Sequence, residues 1–136
     1  MKSETSVSII MTKEVITLDI NDSLTEAERI FGNHSLRHAP VLKGGQLVGM
    51  LSLVDLRRSL EFEENLVPPK RRVHVGQLMS VDPVSVQVDK TIREVAHLFL
   101  EDEFHAVPVL DGQRVVGIVS TTDVIRFLLD NMEAEE

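Results

Sequence analysis

Val48-Gly49-Met50-Leu51-Ser52-Leu53-Val54-Asp55 returns sixty-eight residues later as Val116-Gly117-Ile118-Val119-Ser120-Thr121-Thr122-Asp123. In both runs a short apolar stretch, the pattern of a buried strand, leads without a break into a segment of helical spacing. The junction carries the same Gly-x-x-Ser-x-x-Asp spacing each time. Outward from it the register holds: Ala39-Pro40-Val41-Leu42 matches Val107-Pro108-Val109-Leu110, and Met11, Glu26, Phe31, Gly44 and Arg58 match Met79, Glu94, Phe99, Gly112 and Arg126. A repeat that keeps Gly, Pro, Ser and Asp as well as apolar positions preserves backbone geometry and polar chemistry together.

Each copy reads strand, helix, strand, strand, helix. The opening strands are expected at Val15 to Leu18 and Val84 to Val88. Ser23-Leu24-Thr25-Glu26 and Thr91-Ile92-Arg93-Glu94 match the capping box, in which a hydroxyl caps the first turn and a carboxylate three residues on reaches back. Leu24, Ala27, Ile30 and Phe31 form one apolar helix face; Ile92, Val95, Ala96 and Phe99 form its counterpart. A hairpin follows, turning at Gly44-Gly45 and at Gly112, where glycine supplies positive φ. The second helices are expected at Leu53 to about Leu60 and Thr121 to about Leu129. The divisions are then an extension at 1–9, repeats at 10–60 and 77–130, a linker at 61–76 broken by Pro68-Pro69, and a disordered tail at 131–136.

A chain of 136 residues is one compact domain or two small halves that share a core. Its formal net charge of −8 repels phosphate backbones and argues against nucleic acid as a partner. The basic cluster Lys70-Arg71-Arg72 reads as solvated linker. No apolar run approaches the roughly 18 residues that would span a membrane, and Met1-Lys2-Ser3-Glu4 opens no signal peptide. With no cysteine there are no disulfides and no thiolate chemistry, so the expected location is cytoplasmic.

The junction run is where chemistry is expected. Glycine lets another group come close to the strand. Ser52 and Ser120 stand where a helix begins, so first-turn N–H groups point outward there and suit an anion. The carboxylates of Asp55 and Asp123, one turn later, suit the two hydroxyls of a ribose. The same spacing is also a plain helix cap with an acid near the positive helix end. His34, His38, His74, His97 and His105 lack ligand spacing, which argues for no metal, and neither copy offers a nucleophile–base–orienter series, so no catalysis is expected.

The pattern resembles the cystathionine β-synthase (CBS) domain, and the tandem resembles a CBS pair, the Bateman module. The resemblance rests on Met11-Thr12 and Met79-Ser80, on the Pro-Val steps of the hairpins and on both Gly-x-x-Ser-x-x-Asp runs, and it covers about residues 10 to 130. It implies an α+β fold of tandem β-α-β-β-α repeats packed as a pseudo-two-fold pair. It also implies a regulatory module that binds an adenine nucleotide, AMP, ADP or ATP, or a related adenosyl compound such as S-adenosylmethionine, in two clefts.

Carried over residue by residue, the resemblance gathers Ser120, Asp123 and Arg126 with Lys13, Ile16, Leu36, Arg37, His38 and Ala39 in one cleft. It gathers Ser52, Asp55 and Arg58 with Asp82, Val84, Phe104, His105 and Ala106 in the other. Ile16, Val84, Ala39 and Val107 would wall the adenine. The first set has more cations, since Lys13 and Arg37 become Val81 and His105, so the Asp123 cleft is expected to bind nucleotide more tightly. The expected output is energy sensing through an unidentified protein partner or through a homodimer whose apolar surface comes from Leu53, Leu56, Leu60, Phe127 and Leu128. The rival reading is a structural dimerisation module that takes no ligand.

Overall fold

A computed structural model describes residues 4–64 and 73–135. The Lys70-Arg71-Arg72 cluster and the Pro68-Pro69 step lie outside the described residues. The elements run β1 (Leu18–Asp19), α1 (Leu24–His34), β2 (His38–Lys43), β3 (Gln46–Ser52), α2 (Leu53–Glu64), β4 (Ser80–Val81), β5 (Val86–Gln87), α3 (Ile92–Glu101), β6 (Ala106–Asp111), β7 (Arg114–Ser120) and α4 (Thr121–Glu135). This is the α+β alternation expected of each copy. The chain divides into two compact units, Ile16–Pro83 and Met1–Val15 with Val84–Glu136.

The unit of residues 16–83, here the first unit, holds a four-stranded sheet in the order β1-β2-β3-β4. β1 runs parallel to β2, and β2 and β3 form an antiparallel hairpin. Turn residues Gly44 and Gly45 have φ of 57° and 81°, so the two-residue connection uses the positive φ that glycine tolerates. Leu18, Leu24, Ala27, Phe31, Ala39, Val41, Leu51, Leu56 and Val75 form the core. α1 starts on Ser23, whose Oγ accepts from Glu26 N at 3.0 Å. Half of the expected capping box is present there: the Glu26 carboxylate turns to Arg29 instead, and this bond holds its pKa below the ordinary value. In the last turn of α1, Gly32 has ordinary helical backbone and nothing within 4 Å of where a Cβ would stand.

The second unit repeats this plan with β5-β6-β7 and α3 and α4. Its core is Val7, Val86, Ile92, Val95, Val107, Val109, Val119 and Val124. Here the capping box is complete, with Thr91 Oγ1 accepting from Glu94 N at 3.1 Å and the Glu94 carboxylate reaching back to Thr91. Hydrogen bonds from Lys90 and Thr91 hold the Glu94 carboxyl below its ordinary pKa.

Several boundaries differ from those expected from the sequence. The opening strands shrink to Leu18–Asp19 and Val86–Gln87, because only two residues of each meet the hairpin in parallel register. Of the expected extension at 1–9, the described residues 4–9 pack into the second unit, as do residues 10–12. Val7 is fully buried in the second unit, Val7 N donates to Lys90 O at 2.8 Å, and Thr12 bridges Ile118. Residues 73–81 do the same in the first unit, where Val75 is buried and β4 pairs with β3. Each copy's lead-in therefore completes the unit that holds the other copy's hairpin. Finally, α4 runs on to Glu135, so the described part of the expected tail is helical, with Asn131 Nδ2 donating to Phe127 O at 2.8 Å. α2 likewise continues past Leu60 to Glu64.

Candidate functional site

Both Gly-x-x-Ser-x-x-Asp runs lie where a hairpin strand becomes a helix, at β3–α2 and β7–α4. The glycine is needed for close approach, and the approaching group is a methionine of the lead-in. A Cβ on Gly49 would collide with Met79 Sδ and would lie 2.9 Å from Ser80 O, while a Cβ on Gly117 would collide with Met11 Sδ. The methionine–glycine match seen in the repeat is thus one packing contact made twice. A flexible thioether can move aside, whereas the Ser80 backbone is held by β4 pairing. Gly49→Ala is therefore expected to cost more stability than Gly117→Ala, by about 1 kcal/mol within the usual 1–3 kcal/mol of overpacking. Thermal melts of the two variants check this, and a greater loss at Gly117 contradicts it.

At the β7–α4 junction, Ser120 Oγ accepts from Asp123 N at 3.2 Å and Asp123 Oδ2 accepts from Ser120 N at 2.9 Å. Arg126 Nη1 donates to Asp123 Oδ1 at 3.4 Å. Thr121 N donates to His105 O at 2.9 Å, which ties the junction to the segment before β6. The Asp123 side chain is 15% exposed. A carboxylate has about four acceptor positions, so two bonds leave capacity for further donors.

The β3–α2 junction is looser. Ser52 Oγ accepts from Asp55 N at 3.1 Å, and Leu53 N donates to Arg37 O at 2.8 Å. The Asp55 carboxylate is 50% exposed, and Arg58 Nη1 stands 4.0 Å from Oδ1. The cap reading of Ser-x-x-Asp is thus realised at both junctions, and more completely at Asp123.

Of the expected site residues, the second unit holds Lys13, Val84, Phe104, His105, Ala106, Ser120, Asp123 and Arg126. The first holds Ile16, Leu36, Arg37, His38, Ala39, Ser52, Asp55, Arg58 and Asp82. Within their units His38 stands across the hairpin from Ser52 and Ala106 across from Ser120. Lys13, Arg37, His105, Asp82 and Val84 are exposed. Asp82 has a φ of 47°, a left-handed conformation that aspartate tolerates better than most side chains.

Several expected walls belong to the interior. Ala39 and Val107 lie in the two cores, and Ala106, next to Val107 and so on the opposite face of β6, is buried as well. Phe104 packs edge-on to Phe99, with ring centroids 6.2 Å apart and planes at 72°, and so joins its own core. Ile16 and Val84 remain accessible as apolar walls. Among the described residues no group of three or more His, Cys, Asp or Glu could hold a metal ion.

A groove that the sequence reading did not identify opens in the first unit between α1 and α2. It has a volume of about 470 Å³, with an apolar floor of Phe31, Leu36, Leu53, Leu56 and Leu60 around Gly32, and a rim of Glu28, Arg37 and Arg57. The available signal was Gly32, a glycine inside an otherwise regular helix, where the repeat has Leu100.

A family model for the CBS domain matches the chain twice, over residues 6–61 and 75–130. CBS domain-containing protein YhcV of Bacillus subtilis is 28% identical over 131 residues, which cover 95% of this chain and 89% of that protein. L-aspartate semialdehyde sulfurtransferase of Methanocaldococcus jannaschii is 30% identical over 129 residues, 93% of this chain and 24% of that one. Other relatives are also much longer: the chain spans 32% of the uncharacterized protein MJ1404 of the same organism. Among solved structures, the complex of CBSX2 with AMP has a TM-score of 0.80 at 25% identity, covering 94% of this chain and 98% of that one; CBSX2 is from Arabidopsis thaliana. The CBS domain pair of MJ0100, with 5′-methylthioadenosine and S-adenosyl-L-methionine, has a TM-score of 0.79 at 28% identity, covering 93% and 98%.

Proposed function

The chain belongs to the CBS-domain family, and on that premise we propose that it is a non-catalytic regulatory module that binds an adenine nucleotide, AMP, ADP or ATP. The observation that carries this reading is the likeness, along nearly the whole of both chains, to a CBS pair crystallised with AMP. The MJ0100 pair, with its two adenosyl ligands, supports the adenosyl part of the assignment. The exposed cations of this chain support the phosphate part.

In this reading Asp123 accepts from the ribose hydroxyls with its spare acceptor positions, and Ser120 stands beside the phosphate. Lys13, Arg126, Arg37 and His38 supply charge and hydrogen bonds to the anion, which matter on a protein of net charge −8. Ile16 flanks the adenine, and Leu36 and Ala39 contribute backbone near it. Ser52, Asp55 and Arg58, with Asp82, Val84, Phe104, His105 and Ala106, form the weaker site. Bound nucleotide shifts the population of two arrangements by its differential affinity for them. The output passes to a regulated protein or to a homodimer, in the cytoplasm. No described helix is long and apolar enough to cross a membrane.

The fully formed cap at Ser120 and Asp123 favours the second reading, a structural dimerisation module in which these runs serve the helices alone. Absorbance separates the two. With no Trp and no Tyr the protein absorbs weakly at 280 nm, so a band at 260 nm reports co-purified nucleotide directly. Titration calorimetry with AMP, ADP, ATP and S-adenosylmethionine then ranks the ligands. A clean spectrum with no heat from any of them overturns the nucleotide reading.

A further inference from the structure

With no cysteine, tryptophan or tyrosine, the chain has its five methionines as its readily oxidised side chains. Two of them clasp a lead-in to a hairpin strand. Met11 Sδ fills the space beside Gly117 on β7, and Met79 Sδ fills the space beside Gly49 on β3. Both glycines are buried and both methionines half-buried. In each lead-in the residue after the methionine bonds to the same hairpin strand. Thr12 N donates to Ile118 O at 2.8 Å and Ile118 N to Thr12 O at 3.0 Å, while Ser80 pairs with Met50. Gly117 and Gly49 in turn stand three residues before Ser120 and Ser52.

We propose that Met11 and Met79 are modification sites at which a peroxide converts the thioether to the sulfoxide and so loosens each lead-in from its hairpin. The proposal goes beyond the nucleotide reading and does not rest on it. The sulfur lone pair attacks one peroxide oxygen, and the O–O bond breaks as the S–O bond forms. The departing hydroxide takes the proton from the transferred oxygen and leaves as water. Sulfur loses two electrons and the peroxide gains them. Methionine sulfoxide reductases, which act on one sulfoxide epimer each, reverse the change.

Packing gives the modification its effect. Each sulfur occupies space that exists only because the strand residue is glycine, so an added oxygen forces the contact apart. The sulfoxide oxygen accepts hydrogen bonds and cannot donate, and burying it without a donor is unfavourable. Where a Cβ on Gly49 would stand, the Ser80 carbonyl oxygen is 2.9 Å away, a second acceptor that repels the first. At Gly117 the corresponding point is crowded by Met11 Cγ and Cε, at 2.9 and 3.1 Å. The two methionines are half-buried and not sealed in a core, so a molecule as small as hydrogen peroxide reaches them. Met132 is the contrast within the same chain. It is 53% exposed on α4, where water hydrates a sulfoxide and no strand contact depends on it.

The test treats the full chain with hydrogen peroxide and locates sulfoxides by mass spectrometry of its peptides. Met132 is expected to oxidise first, with an unchanged thermal melt. Oxidation of Met11 and Met79 is then expected to lower the melting temperature by on the order of 5 °C and to speed hydrogen exchange at the Thr12 and Ile118 amides at least tenfold. Treatment with reductases for both sulfoxide epimers is expected to restore the melt. A chain with Met11→Leu and Met79→Leu, swaps close in volume, is expected to keep its melt through the same oxidation. A wild-type melt that does not move when both positions are fully sulfoxidised overturns the proposal, and so does a double variant that loses as much as the wild type. The reductase arm needs no variant, and a loss that the reductases leave in place overturns methionine as its cause. Met11 and Met79 that stay unoxidised in peroxide until the chain unfolds are not sites.

Discussion

Asp123→Ala is expected to weaken nucleotide binding at least tenfold in titration calorimetry, and Asp55→Ala to weaken it less. The two aspartates are equivalent in the repeat, and the difference comes from how each is held. Asp123 accepts from Ser120 N at 2.9 Å and from Arg126 at 3.4 Å and is 15% exposed. Asp55 is 50% exposed, with a guanidinium 4.0 Å away. A carboxylate fixed before the ligand arrives loses less freedom on binding, so more of its hydrogen-bond energy appears as affinity. Tenfold corresponds to about 1.4 kcal/mol, within the range for hydrogen bonds to a charged group.

The same substitution also removes one arm of the α4 cap, which costs about 1 kcal/mol of stability. A thermal melt measures that part separately. If the melt falls and the affinity does not change, Asp123 is a cap alone. If Asp55→Ala loses more affinity than Asp123→Ala, the ranking of the two sites is reversed.

Leu56→Ala is expected to destabilise the chain by about 2–5 kcal/mol, as for other fully buried leucines, and to lower the melting temperature by on the order of 10 °C. Leu56 resembles an interface residue in sequence, one of a leucine row on the second helix. In the structure it is 1% exposed inside the first unit's core, with Leu53 and Leu60 packed on that core. Phe127 likewise packs on the second core. Of the residues expected at a dimer surface, Leu128 alone is exposed, and Ile125, Leu129 and Met132 join it. Leu129→Ala should therefore leave the melt of dilute protein within about 0.5 kcal/mol of the wild type. An equal loss from the two variants would contradict this division between core and surface.

Where the controlling interactions are local, the amino-acid sequence is sufficient to specify the structure. Thr91 and Glu94 lie three residues apart and close their box without help from elsewhere, and the Gly44-Gly45 turn needs only its own positive φ. The β-α-β-β-α order follows from hydrophobic period and punctuation. Even the half-formed box at Ser23 departs locally, since Glu26 has Arg29 one turn along as a competing partner. The two junction caps were legible as alternatives to ligand sites, and both are formed.

What the linear chain could not show depends on which distant segments share a core. Val7 and Val75 look like ordinary apolar residues ahead of their own repeats, yet each is buried in the unit of the other copy's hairpin. Met11 and Met79 read as markers of where a copy starts, and they turn out to be the reason that Gly117 and Gly49 are glycine. Leu56 suits a partner surface or a core by residue type, and only packing places it in the core. The repeat in Val48 to Asp55 and Val116 to Asp123 was sufficient to specify the fold, the family and the two capped junctions, because backbone geometry and short-range hydrogen bonds are written in residue type and spacing. The tertiary structure alone decided the exchange of lead-ins, the tighter hold on Asp123 and the groove between α1 and α2, since these arise from packing among residues far apart in the chain.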